Sequence, residues 1–165
     1  MGVSLEQWGN WLKGGARHVG EGFTQPDDDW QPIAFVCDTQ GQTTALMLDP
    51  EMFRPGRKEV MFAFLSEEMR RLGADRVGFV ISTWMAKAPT KDPEEAMRWA
   101  ETAGPPSEQP DREEGLVISW GDVTGDHLSM AEITRHPDGP PTLGDWQDMR
   151  GDGALVECVR RAVAP

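Results

Sequence analysis

The stretch Asp75–Met85, DRVGFVISTWM, does most to limit what this chain can fold into. Its centre, Val77-Gly78-Phe79-Val80-Ile81, is a short apolar run rich in β-branched residues. That pattern suits a strand covered on both faces better than one half open to water. Immediately upstream, Met61, Phe64, Leu65, Met69 and Leu72 recur at helical spacing within Gly56–Leu72, and Gly73 supplies the residue type that ends such a helix. A helix therefore feeds straight into a buried strand. Trp84 and Met85 fall where that strand should end, at the rim of a sheet.

The N-terminal side adds a helix and a hairpin. Ser4-Leu5-Glu6-Gln7 reads as a capping box, and Leu5, Trp8, Trp11 and Leu12 follow on one helical face up to a predicted stop at Gly14-Gly15. A loop from Gly20 to Pro32 carries Asp27-Asp28-Asp29 and Trp30. Ile33–Asp38 and Thr43–Leu48 read as strands joined through Thr39-Gln40-Gly41-Gln42, with Ile33, Phe35 and Cys37 on one face.

Downstream lies an acidic, proline-rich excursion over residues 87–114. Within it Asp92-Pro93-Glu94-Glu95 predicts a short helix to about Thr102, and Pro105–Glu114 reads as irregular and exposed. Strand character returns at Leu116–Trp120 and Leu128–Thr134 around a turn at Gly121–Asp126. His136–Gly144 reads as a connection, and Leu155, Val156, Val159 and Val163 give a final helix with Arg160-Arg161 near its C-terminal end. The expectation is a single domain over residues 1–165 of α+β class. Its mainly antiparallel sheet has about five strands with helices packed on one face, in the order α-β-β-α-β-α-β-β-α.

No motif carries catalysis. The histidines His18, His127 and His136 occur without His-Glu-x-x-His, His-x-His or Cys-x-x-Cys spacing. Ser82, Ser119 and Ser129 lie in predicted strands, outside any Gly-x-Ser-x-Gly turn. Asp27-Asp28-Asp29 lacks the alternating ligands and glycine of an EF-hand, and Gly20-Glu21-Gly22 lacks the rest of a phosphate loop. No catalytic residue, metal site or cofactor is assigned. Cys37 and Cys158 sit far apart in apolar surroundings and read as buried thiols, with a disulfide or a catalytic thiol as the alternatives.

Charge narrows the partners. Asp and Glu total 28 against 16 Lys and Arg, a net charge of −12 that disfavours direct binding to a nucleic-acid backbone and favours a basic protein surface. Seven tryptophans and no tyrosine supply large aromatic anchors. No apolar run reaches the roughly 18–20 residues of a membrane span, and the N-terminus has no signal-peptide pattern, so no membrane association and a cytoplasmic location are expected.

The order of elements, with the excursion set aside, resembles roadblock/longin-type binding domains, a resemblance that implies a dimeric platform for protein partners. Trp84-Met85 followed by Pro105-Pro106-Ser107-Glu108-Gln109-Pro110-Asp111-Arg112-Glu113-Glu114 resembles a segment of small uncharacterised bacterial and phage proteins, which implies no activity. The two ends of the excursion should bring Trp84 and Met85 beside Arg112, Glu113 and Glu114. These residues, with Asp27, Asp28, Asp29 and Trp30, are the predicted recognition surface. The functional expectation is an acidic, non-enzymatic protein-binding or regulatory protein, in its sharpest form an inhibitor covering a basic surface of its target. Self-association through a sheet edge or a helix is one form such binding can take. The alternative is a metal-assisted hydrolase using Asp122, Asp126, His127, Glu132 or His136, which predicts that several of these side chains converge in one pocket.

Overall fold

The computed structural model describes residues 3–54, 56–149 and 154–164. Among these, the order is α1 (Leu5–Glu21), β1 (Ile33–Asp38), β2 (Thr43–Met47), α2 (Lys58–Leu72), β3 (Ala74–Met85), α3 (Pro93–Ala103), β4 (Glu113–Asp122), β5 (Gly125–His136), β6 (Gly139–Leu143), β7 (Gln147–Met149) and α4 (Ala154–Val163). The strands form one antiparallel sheet in the spatial order β2-β1-β3-β4-β5-β6. β6 pairs with the C-terminal part of β5, and β7 pairs with its N-terminal part. The α+β class holds, but among the described residues there are seven strands instead of about five.

The central run in β3 explains why the sheet carries helices on both faces. Successive strand side chains point to opposite sides. Val77 and Phe79 pack with Ala34, Val36, Leu65 and Met69 and with Leu155 and Val159, beneath α2 and α4. Val80 packs with Trp8, Leu12, Ile118 and Trp120, beneath α1. The expectation of helices on one face is therefore corrected: a strand buried on both sides needs a layer on each.

α1 sits unusually close to the sheet. A Cβ built on Gly9 would overlap the Trp120 indole, and one on Gly78 would lie 2.6 Å from Leu12 Cδ1. At Gly78 the Leu12 side chain would have to shift, and at Gly9 the rigid indole leaves no room for a Cβ, which accounts for a glycine inside the helix.

Two other expectations change. α1 does not stop at Gly14-Gly15 but runs to Glu21, behind the predicted Ser4–Gln7 capping box. Bonds to its second half hold it: Trp30 Nε1 donates to the Ala16 carbonyl at 2.7 Å, and Arg17 donates to the carbonyls of Leu143 and Gly144 at 3.1 and 2.6 Å. Together with the burial of Leu12 and Ala16 these contacts offset the cost of about 1 kcal/mol per interior glycine. The predicted connection His136–Gly144 contains β6, whose Pro140 and Pro141 are tolerated because β6 ends the sheet path. The hairpin, α2 with its left-handed Gly73 cap, and α3 with its Asp92 N-cap follow the sequence closely.

Candidate functional site

The end of β3 and the start of β4 meet as neighbours, with Trp84 opposite Glu114 and Met85 opposite Glu113. The Arg112 guanidinium lies 4.9 Å from the Trp84 ring centroid, and Lys87 Nζ bonds Glu113 at 3.0 Å. This cation–π contact is exposed, so it is worth about 0.5–1 kcal/mol. Trp84 stays 42% exposed beneath it.

Arg135, on β5, ties this corner to the acidic loop. It forks onto Glu114 at 2.9 and 2.6 Å, pairs with Asp29 at 3.1 Å, and donates to the Asp28 carbonyl at 2.8 Å. The hydrogen bond to Glu114, reinforced by the charges of Glu114 and Asp29, holds the guanidinium still more firmly charged than usual. Ser82 adds a bond to Asp29 at 3.3 Å. Asp28 accepts from the backbone N–H groups of Thr24 and Gln25 at 2.7 and 2.9 Å. Those two bonds, the one from Gln25 first, hold its carboxyl below the usual range. Asp27 is exposed. Trp30, by contrast, is 3% exposed; its ring packs edge-on against Phe23 and its N–H is bound inside the fold. Of the acidic-loop group, Asp28 and Asp29 brace the loop and Trp30 belongs to the core.

A second surface was not singled out by the sequence. Between α1 and the β1–β2 edge lies an open groove of about 360 Å³. Trp11, Val19 and Met47 line it while 52%, 52% and 66% exposed, and Ile33, Phe35 and Val80 form its floor. The Trp11 ring is pre-set by stacking on Trp8 at 5.2 Å and by an edge contact to Phe35 at 5.3 Å. Among the described residues, Asp29 is its one charged lining group, at the side from which Ser82 and then Trp84 continue along the same face of β3. Large apolar side chains left open together are a binding feature more than a packing one.

Of the residues of the hydrolase alternative, Asp126 and His127 line one pocket with Glu6 and Asp148, whereas His136 stands at the far end of β5. Asp122 Oδ1 accepts from the backbone N–H and the hydroxyl of Thr124 at 2.7 and 2.5 Å, an ordinary use of Asp in a turn. His127 stacks on Trp120 at 5.4 Å, and His136 contacts the Thr142 hydroxyl at 2.9 Å. Both histidines lie on β5, so at about 3.3 Å per residue they are separated by roughly 30 Å. Among the described residues no group of three His, Cys, Asp or Glu side chains is arranged to hold a metal ion. The cysteines are free and buried on opposite faces of the sheet, Cys37 on β1 beneath α1 and Cys158 on α4 against α2, which excludes a disulfide between them. Burial pushes both thiols up. Among the described residues no helix is long and apolar enough to cross a membrane.

Comparison with protein-family models, characterised proteins and solved structures returns no match.

Proposed function

We propose that this is a non-enzymatic protein-binding protein of regulatory type whose principal contact surface is the groove between α1 and the β1–β2 edge. The observation that supports this most is that Trp11, Val19 and Met47 stand exposed around one concave, almost uncharged surface. Trp is among the residue types that dominate binding energy, and Met adapts to irregular partners. The Trp84–Arg112 corner adds a second aromatic and a guanidinium on the same side of the sheet, joined to the groove through Asp29, Arg135 and Glu114.

The net charge of −12 favours a partner that is basic around an apolar centre. Covering such a surface is the inhibitory role this reading allows. Specific attachment falls to the groove, because ion pairs such as Arg70–Glu67, Arg71–Glu68 and Arg161–Glu157 intersperse bases among the acids.

The test is selection of binders from a random peptide library, followed by titration of an enriched peptide against the unaltered chain and against Met47→Glu and Trp11→Ala. Met47 is exposed, so its substitution should leave the melting temperature nearly unchanged. At least about a tenfold loss of affinity, or about 1.4 kcal/mol, is expected. An enriched peptide indifferent to both substitutions, or no enrichment at all, contradicts the proposal.

A further inference from the structure

β2 is an open edge, and its phase relative to the groove is fixed. Leu48 N–H donates to Pro32 O at 3.0 Å, and Asp38 N–H donates to Gln42 O at 2.9 Å. In an antiparallel ladder, residues that exchange bonds with the neighbour alternate with residues whose backbone groups point away. Thr44 and Leu46 therefore bond to β1, and the N–H and C=O groups of Thr43, Ala45 and Met47 face outward, where among the described residues β2 has no further strand beside it. Thr43, Ala45 and Met47 are paired with Cys37, Phe35 and Ile33, so their side chains lie on the α1 face, the face of the groove. The unpaired backbone thus belongs to three residues whose side chains share the groove's face, and one of them, Met47, lines the groove itself.

We infer that the partner engages as an extended segment added antiparallel to β2, with every second side chain entering the groove. This rests on the protein-binding reading of the groove and specifies its occupant. In antiparallel addition, a partner residue that bonds Ala45 through its backbone also points its side chain to the side of Ala45. The partner's groove-facing residues must then be apolar and at alternate positions. Charge selects its flanks: Asp38 and Asp49 bracket β2, and Asp29 lies in the groove wall, so Lys or Arg should flank the apolar run. A second copy of the chain fits this pattern poorly, since it would set Asp38 and Asp49 and a further −12 against their equals.

The probe is the peptide enriched by the selection above. Apolar residues at alternate positions between basic flanks are expected; enrichment at helical i, i+3, i+4 spacing would overturn strand addition. The peptide is then N-methylated one residue at a time. Methylation of residues whose side chains enter the groove should cost at least about tenfold in affinity, and methylation of the residues between them should cost little. Indifference to methylation at every position overturns strand addition. Ala45→Pro tests the other side of the same bonds, removing an outward N–H that β1 does not use, at an edge where proline is tolerated. It should weaken the peptide comparably while leaving the melt cooperative. If Met47→Glu abolishes binding while methylation and Ala45→Pro do not matter, strand addition fails and the groove reading survives. If Met47→Glu has no effect, the groove reading itself has failed. Sedimentation velocity closes the remaining route: a dimer of the unaltered chain that Ala45→Pro dissolves would make the occupant a second copy and overturn the inference.

Discussion

Arg135 and Glu114, 21 residues apart in the chain, form a two-pronged pair with bonds of 2.9 and 2.6 Å. The Glu114 side chain is only 13% exposed, so removing its partner strands a carboxylate with little water around it. Arg135→Ala should cost about 1–2 kcal/mol in urea unfolding, the lower half of the usual range because solvent reaches the guanidinium. Because Arg135 also holds Asp28 and Asp29, limited proteolysis within the loop should quicken in the same variant. Arg135→Lys should not restore it, since an ammonium cannot fork.

Two glycines of α1 should respond to alanine in opposite directions. Gly9 lies against Trp120, so Gly9→Ala forces the helix off the sheet and should destabilise by about 1–3 kcal/mol. Gly14 has nothing within 4 Å of where a Cβ would stand, so Gly14→Ala should stabilise by about 0.5–1 kcal/mol. Thermal melts of the two variants check both signs. A Gly14→Ala loss would mean that α1 breaks where the sequence first suggested.

Acid stability should depend on Asp28 and Asp148. Both carboxyls are held below their ordinary value of 3.8, Asp28 by backbone N–H bonds from Gln25 and Thr24, and Asp148 by the Ser129 hydroxyl and then the Lys13 charge. A group depressed in the folded state contributes stability that is present above its unfolded value and lost as pH falls through the folded one. Asp28→Asn and Asp148→Asn should therefore reduce stability at pH 6, with the difference from the unaltered chain shrinking below about pH 3.8. Urea midpoints across that range test this.

The thiols give a simple reactivity test. Cys37 and Cys158 are both buried, and burial raises both, so neither offers a thiolate at neutral pH. A thiol reagent should label the folded chain slowly at both positions and label both at once in denaturant. Fast single-site labelling of the folded chain would show a reactive cysteine.

Local pattern made much of the fold legible. The Ser4–Gln7 capping box, the Gly73 stop, the hairpin at Thr39–Gln42 and the Asp92 N-cap are determined by neighbours a few residues away. The run Val77–Val80 even carried the mark of cover on both faces, although which helix covers which face is a tertiary matter. β6 was hidden because Pro140-Pro141 reads as a connection, and only its place at the end of the sheet path makes a strand there tolerable. Arg135 had no local signal, since its partners lie 21 and 107 residues away. The groove was half legible. The hairpin was legible, but the register that sets Met47 on the face of Ile33 and Phe35 emerges only from the observed pairing, and Trp11 fell on the same stripe as Trp8 and Leu12. Half of it is exposed, at the side of the sheet that β2 ends.

The most direct measurement is amide hydrogen exchange along β2, with and without the selected peptide. In the free chain, Thr44 and Leu46 should exchange slowly and Thr43, Ala45 and Met47 quickly, because only the first set is bonded to β1. Addition of saturating peptide should slow Thr43, Ala45 and Met47 into the range of their neighbours. Bound peptide with those three amides still exchanging at the free rate would contradict the account.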